Sequence, residues 1–227
     1  MIRAVVFDFD GLIVDTETPG YLAFRQVYAG YGVELAEEKY ALCVGTSHAA
    51  FDPYAHLGEC LGRPVVREEI EGKFRPVYRA MLEQAELRPG VRSYLEEAQS
   101  LGLGIGLASS STIDWIEPYL VKFGLSRYFD SLCTADNVTK VKPDPELYVQ
   151  SLDNLGVKPD EAVAFEDSLN GFLAAKAAGL RTVIVPNDLT RSYPFEQYDR
   201  RIGSMADVPL AELLRGLQGG SGKRTPG

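Results

Sequence analysis

The sequence predicts an α/β fold, a doubly wound parallel sheet interrupted by a helical insertion. Three observations point to it. Short apolar runs at Ala4–Phe7 and at residues 103–108, 131–134, 162–165 and 182–185 alternate with segments of helical periodicity, the pattern of successive βαβ units. The runs are largely continuous rather than alternating, as in strands buried on both faces. Between the first and second runs, many aromatics recur at helical spacing with no convincing strand. The organisation expected is a core of residues 1–15 and 86–217, a helical unit of residues 16–85, and a low-complexity, disordered tail of residues 218–227.

The elements follow in order. Ala4–Phe7 is the first strand, closed by Asp8, Asp10 and Gly11. Thr18 can N-cap a helix with Pro19 at its first position. Tyr21, Phe24, Tyr28 and Tyr31 then mark its apolar face, and Gly32 ends it. Helical pattern continues to about Glu83, and Leu87-Arg88-Pro89-Gly90 turns the chain back to the sheet. A helix is expected over Val91–Ser100, then a strand over 103–108 ending in Ser109-Ser110-Ser111. Thr112 can cap the next helix, with Ile113, Ile116, Leu120 and Phe123 on one face and Gly124 as its stop. After the short strand at 131–134, Pro143 holds Lys142 extended. Asp144 and Pro145 then open a helix that Gly156 closes. The strand at 162–165 runs into Glu166-Asp167, a helix follows to Ala178, and the strand at 182–185 comes after Gly179. Beyond Pro186 only residues 210–217 look helical.

Composition narrows the function. The chain has 227 residues, 45% of them hydrophobic, and a net charge of −9. That charge disfavours a nucleic-acid or anionic-membrane partner. A phosphorylated substrate stays possible, because a local cation can reverse the sign of one pocket. Cys43, Cys60 and Cys133 are odd in number and lack CxxC spacing, so a zinc site or disulfide framework is not expected and a reducing cytoplasm fits. The first strand starts almost at Met1, so no signal peptide is expected, and no apolar run reaches the ~18 residues of a membrane span.

Polar groups fall at the C-terminal ends of three strands: Asp8 and Asp10, Ser109, and Glu166 with Asp167. In open α/β sheets that edge is where ligands bind. An Asp-x-Asp pair alone arises about once by chance in a chain this long; the strand before it and the coincidence with the other ends give it weight. Carboxylates gathered there form an oxygen-rich site for a hard cation such as Mg²⁺, which takes a few carboxylates together with waters and substrate phosphate. An aspartate can also accept a phosphoryl group, and Lys142 and Ser109 are candidates to hold its oxygens.

Asp8-Phe9-Asp10-Gly11, Ser109 after an apolar strand, Lys142-Pro143, and Glu166-Asp167-Ser168 followed by Gly171 occur in that order. Together they resemble the four motifs of the haloacid dehalogenase superfamily. Asp15-Thr16-Glu17 and the helical insertion are similar to its β-phosphoglucomutase-like branch, and the likeness covers the chain to about Leu217. The resemblance implies a Rossmann-like core with an α-helical cap. It implies Asp8 as nucleophile, Asp10 as general acid/base, and Ser109 and Lys142 as phosphoryl-binding residues. It implies Mg²⁺ held by Asp8, by Asp10 through its backbone carbonyl, and by Asp167. Glu166 is either a further ligand or a supporting group. Asp10, the second aspartate of the first motif, is absent from the family's dehalogenases, which favours phosphoryl chemistry here.

One part departs from that branch. Gly20 stands where a β-phosphoglucomutase has a His, and His48, after Gly45-Thr46-Ser47, stands where it has an Arg. The grip on a second phosphate is therefore not expected. The reading is a Mg²⁺-dependent phosphatase acting on a small phosphorylated metabolite, cytoplasmic and monomeric. The alternatives are a sugar-phosphate mutase and a non-catalytic module that binds Mg²⁺ or phosphate.

Bland readings exist for several of these residues. Ser110 and Ser111 suit a helix cap, the aromatic stripe suits helix packing, His48 suits the surface, and Lys73, Arg75 and Arg79 suit a solvated helix face. Gly219 to Lys223 fails as a P-loop, since Leu217 stands in place of the first glycine and Arg224 in place of Ser or Thr.

Overall fold

The computed structural model describes residues 1–42, 44 and 51–219. Six parallel strands form one sheet in the order β3-β2-β1-β4-β5-β6. They are β1 Ala4–Phe7, β2 Gly104–Ala108, β3 Ser131–Cys133, β4 Ala162–Glu166, β5 Arg181–Ile184 and β6 Arg200–Arg201. The apolar run of β1 is the central strand, paired with β2 on one side and β4 on the other. Its residues alternate between two cores. Val5 and Phe7 face the helices α5 (Val91–Ser100), α6 (Ile113–Lys122) and α9 (Leu210–Gly219). Ala4 and Val6 face α7 (Glu146–Leu155) and α8 (Leu169–Ala177). On the first side Phe7 stacks on Phe165, ring centroids 4.9 Å apart, and truncating either ring to alanine should destabilise the fold by about 3–5 kcal/mol.

Register brings the strand ends into line. Phe7 lies opposite Leu107 on β2 and Phe165 on β4, so the residues that follow share one edge of the sheet. The chain builds outward from β1 in one direction through β2 and β3, then in the other through β4 and β5. That reversal creates a crevice beside β1.

The insertion contains four helices: α1 Glu17–Ala29, α2 Glu37–Ala41, α3 Pro53–Leu61 and α4 Arg67–Glu83. Their core is aromatic, built on Tyr21, Phe24, Tyr28, Tyr40 and Tyr54 with Leu57 and Ile70. The two crossings between core and insertion run side by side. Val14 pairs with Leu87 in an antiparallel bridge, and the Arg88 N–H donates to the Ile13 carbonyl at 2.9 Å.

Several boundaries shift from expectation. α1 begins at Glu17, not after a Thr18 cap; the Thr18 N–H instead donates to Asp15 Oδ1 at 3.0 Å. Thr18 thus lies inside the first turn, where its own N–H is satisfied by Asp15, instead of standing before the helix as its cap. α7 begins at Glu146 after Pro145, with the Glu146 N–H bonded to Asp144 Oδ1 at 3.2 Å. The strand β6 is too short and too polar to leave an apolar pattern. α9 continues to Gly219, two residues into the expected tail; residues 220–227 lie outside the described ones, as do Cys43 and Gly45-Thr46-Ser47-His48. No helix among the described residues is long and apolar enough to cross a membrane.

Candidate active site

Asp8 is the first residue past β1, and its N–H still donates to the Phe165 carbonyl at 3.1 Å. Its carboxylate therefore projects from a backbone fixed on the sheet. Lys142 reaches it from the loop before α7 and forms ion pairs with Asp8 and with Glu166, the latter at 2.6 Å. All three side chains are buried. An isolated ammonium would not be stable there, but two carboxylates and good geometry offset its desolvation. Burial alone would lower the Lys142 pKa; the charges of Asp8 and Glu166 outweigh it and hold the group above the ordinary lysine range. Glu166 Oε1 also accepts from the Tyr148 hydroxyl on α7, and burial followed by the Glu166 charge pushes that phenol well up.

Asp167 sits beside this pair. Its Oδ2 accepts from Asn187 Nδ2 at 2.7 Å, while its buried Oδ1 has no hydrogen-bond partner. Such an orphan calls for a missing cation or water. One carboxylate oxygen from each of Asp8, Glu166 and Asp167 lies within 4.8 Å of the others. Asp8 and Glu166 share one buried ammonium, and Asp167 adds a third carboxylate whose hydrogen-bond partner is the neutral Asn187 amide, leaving negative charge in excess. Burial, opposed by Lys142 and reinforced by Glu166, raises Asp8 to about 7. Burial and the charges of Asp8 and Glu166 raise Asp167 well above the carboxylate range. An all-oxygen donor set, an orphaned lone pair and excess negative charge fit a hard divalent ion. The Asp10 carboxylate is turned away from this cluster.

Glycine makes the crowding possible. A Cβ at Gly11 would collide with Asp167 Oδ2, and Gly11 also has φ +80°; a Cβ at Gly171 would collide with the Glu166 carboxylate. Arg88 braces the same corner: Nη1 donates to the carbonyls of Gly11 at 2.6 Å and Val185 at 3.0 Å, and Nη2 donates to Pro186 at 2.8 Å.

Asp10, two residues on, has a different setting. Its Oδ1 accepts from Thr16 Oγ1 and from Trp115 Nε1, each at 2.8 Å. Its Oδ2 accepts from Ser111 Oγ at 2.6 Å and from Ser109 Oγ at 3.4 Å. Every donor is neutral. The helix-cap reading of Ser111 is thereby corrected: its hydroxyl is committed to Asp10, and α6 has no side-chain cap bond at Thr112.

A cavity of about 340 Å³ opens between the sheet edge and the insertion. Asp8, Asp10, Ser109, Ser110, Ser111 and Lys142 line it from the core, and Phe24, Tyr40, Tyr54, Phe74 and Tyr78 line it from the helices. Phe24 thus faces the cavity as well as packing its helix. Among the described residues Lys142 is the only cation in the lining. Lys73 and Arg75 pair instead with Glu69 and Glu71 on the solvent side, as expected of a solvated face. Gly20 also lines the cavity, and a Cβ there would approach the Tyr40 hydroxyl to 2.7 Å. His48 lies outside the described residues.

The structure thus brings Asp8, Asp10, Ser109, Lys142, Glu166 and Asp167 to one edge. Sequence reasoning passed over Trp115, Thr16, Tyr148, Asn187 and Arg88. Asn187 carried a signal, a polar residue just past an apolar strand. Trp115 carried a fainter one, the single tryptophan of the chain lying off the apolar face of its helix.

Residues 5–185 match the family model for haloacid dehalogenase-like hydrolases. The chain is 46% identical over 214 residues to "Putative phosphatase YhcW" of Bacillus subtilis, covering 94% of this chain and 97% of that protein. It is 31% identical over 215 residues to hexitol phosphatase B of Escherichia coli, with 94% and 97% covered. Among solved structures, a mutant of CbbY from Rhodobacter sphaeroides in complex with xylulose-(1,5)bisphosphate superposes with a TM-score of 0.73 at 31% identity, covering 96% of this chain and 99% of that one. A family match running from β1 through β5, relatives of nearly equal length, and residues of all four motifs drawn to one strand edge agree: the chain belongs to the haloacid dehalogenase-like hydrolases.

Proposed function

We propose that this hydrolase is a Mg²⁺-dependent phosphatase acting on a small phosphomonoester, a sugar phosphate or similar metabolite, in the cytoplasm and as a monomer. The observation that carries the reading is the contrast between Asp8 and Asp10 at the floor of one cavity. Asp8 is buried against an ammonium and a candidate cation site. Asp10 is held only by neutral donors, facing the same space. One carboxylate is set to attack and the other to move protons.

Asp8, Asp167 and the main-chain carbonyl of Asp10 would hold the Mg²⁺, and Glu166 acts chiefly by anchoring Lys142. The ion, when bound, supplies charge neutralisation at the phosphoryl oxygens. Lys142 and Ser109 take up the remaining oxygens. An Asp8 carboxylate oxygen attacks phosphorus as the bond to the ester oxygen breaks, and protonated Asp10 gives its proton to that departing oxygen. Asp10, now a carboxylate, takes a proton from water; the water oxygen attacks phosphorus, and Asp8 leaves with inorganic phosphate released. The relative named for hexitol phosphates supports a polyol or sugar ester as substrate.

A mutase would need a grip on a second phosphate. The CbbY neighbour is seen with a bisphosphate, so the fold does not forbid one. Here no cation except Lys142 lines the cavity among the described residues, and that favours water as acceptor. The test is phosphate release from p-nitrophenyl phosphate and a panel of sugar and polyol phosphates, with Mg²⁺ and with EDTA. Turnover that EDTA abolishes is expected. Full activity in metal-free protein overturns the metal assignment, and rapid, glucose 1,6-bisphosphate-dependent conversion of β-glucose 1-phosphate to glucose 6-phosphate overturns the phosphatase reading.

A further inference from the structure

The two oxygens of Asp10 are not equivalent. Oδ1 accepts from Trp115 Nε1 and Thr16 Oγ1, both at 2.8 Å. Oδ2 accepts from two serine hydroxyls, Ser111 at 2.6 Å and Ser109 at 3.4 Å. An indole N–H can only donate, whereas a serine hydroxyl turns freely between donor and acceptor. A proton on Oδ1 would face a donor that cannot yield. A proton on Oδ2 meets groups that can rotate to make room.

The indole itself is clamped. Tyr119, one turn along α6, meets it edge-on with ring centroids 5.7 Å apart. From the insertion, Tyr78 of α4 stacks on it with centroids 6.1 Å apart and planes 14° apart. The Tyr78 hydroxyl also donates to the Thr16 carbonyl at 3.2 Å. Both donors to Oδ1 are therefore touched by one side chain of the inserted helices.

We propose that Trp115 is a positioning residue for Asp10: it locks Oδ1 and leaves Oδ2 to exchange the proton with the ester oxygen, and Tyr78 ties that lock to the seating of the insertion. In the step itself the Oδ2–H bond breaks, a bond from hydrogen to the departing oxygen forms, and the phosphorus–oxygen bond electrons pass to that oxygen. The inference rests on the phosphatase reading above.

Two aryl esters of the same shape provide the test. p-Nitrophenolate leaves without much need of a proton; phenolate, a poorer leaving group, needs one. kcat/KM reports the steps through departure of the phenol and not the later attack of water. Trp115→Phe keeps an aromatic ring between Tyr78 and Tyr119 but removes the N–H. It should lower kcat/KM for phenyl phosphate by roughly 10- to 100-fold, the scale of a misplaced catalytic group, and leave p-nitrophenyl phosphate much less affected. Tyr78→Leu should shift the ratio of the two esters in the same direction by a smaller factor. Mg²⁺-dependent inhibition by beryllofluoride, which needs Asp8 but no proton transfer, should persist in both variants. An equal fall for both esters, no change in their ratio, or loss of beryllofluoride inhibition overturns the role of Trp115 while leaving the phosphatase standing. Wild-type protein that releases phosphate neither from these esters nor from the sugar and polyol phosphates overturns the phosphatase reading and this inference with it.

Discussion

The sheet edge and the helical roof enclose the same cavity with opposite materials. The edge offers buried carboxylates, one ammonium and hydroxyls, nearly all bonded to one another. The roof offers aromatic faces and, among the described residues, no cation. Charged groups fixed by backbone on a rigid sheet suit chemistry that tolerates little displacement. Aromatic faces suit recognition by shape, with each ring contact worth about 0.5–1.5 kcal/mol. On the proposed function, the difference assigns reaction type to the edge and selectivity to the roof.

Three experiments break or sharpen that division. The largest effect should come from the edge. Asp8→Asn is nearly isosteric and removes the proposed nucleophile, so kcat should fall by roughly 10⁴- to 10⁶-fold, the scale seen when a covalent nucleophile is lost. Beryllofluoride should no longer inhibit the residual rate. A verified variant with near-normal kcat would refute the assignment.

The second effect is on stability. Asp8 shifts from an ordinary 3.8 to about 7 in the folded chain. A group raised on folding contributes stability that is complete below its unfolded value and lost as pH rises through its folded value. Metal-free protein should therefore lose stability between about pH 4 and 7, by on the order of a few kcal/mol, relative to Asp8→Asn, which lacks the titrating group. Mg²⁺ should restore it above pH 7 and release protons on binding below that pH. Denaturant unfolding of both proteins across this range, with Mg²⁺ and with EDTA, measures it; parallel curves would show that Asp8 does not ionise against burial.

The smallest effect should come from the roof. Phe74→Leu keeps an apolar side chain but removes a ring that stacks on Phe24 at 4.2 Å and Tyr78 at 5.0 Å. KM for the preferred ester should rise roughly 3- to 10-fold, the value of one aromatic contact, with kcat little changed. A fall in kcat comparable to that of an edge variant would erase the distinction between the two walls.

Legibility in the sequence follows the same line. The edge residues could be read because each stands immediately after an apolar strand or beside a proline, where chain position fixes place. Asp8, Ser109 and Glu166 needed only the strand pattern, and parallel register brought them together. The roof could not be read in this way. Phe24 shares a helical stripe with Tyr28, which is buried against the Pro53 carbonyl and away from the cavity. Periodicity says that such a stripe is buried, not which of its members meets a ligand. Trp115 and Thr16 were missed for a related reason. Their meaning depends on Asp10, 105 and 6 residues away in sequence, and no local pattern encodes that distance.

The antiparallel bridge between Val14 and Leu87 gives the insertion a further property. Its two ends leave the core at the same place, as adjoining threads of one stalk. A segment whose ends already touch can be lengthened, shortened or exchanged without changing where the flanking chain must go. The sheet meets the insertion as it would meet a short turn. A new roof could therefore be spliced between those two residues while the edge below kept its strands and register, provided that it again gave Asp10 the donor that Thr16 supplies and Trp115 the ring that Tyr78 lays against it.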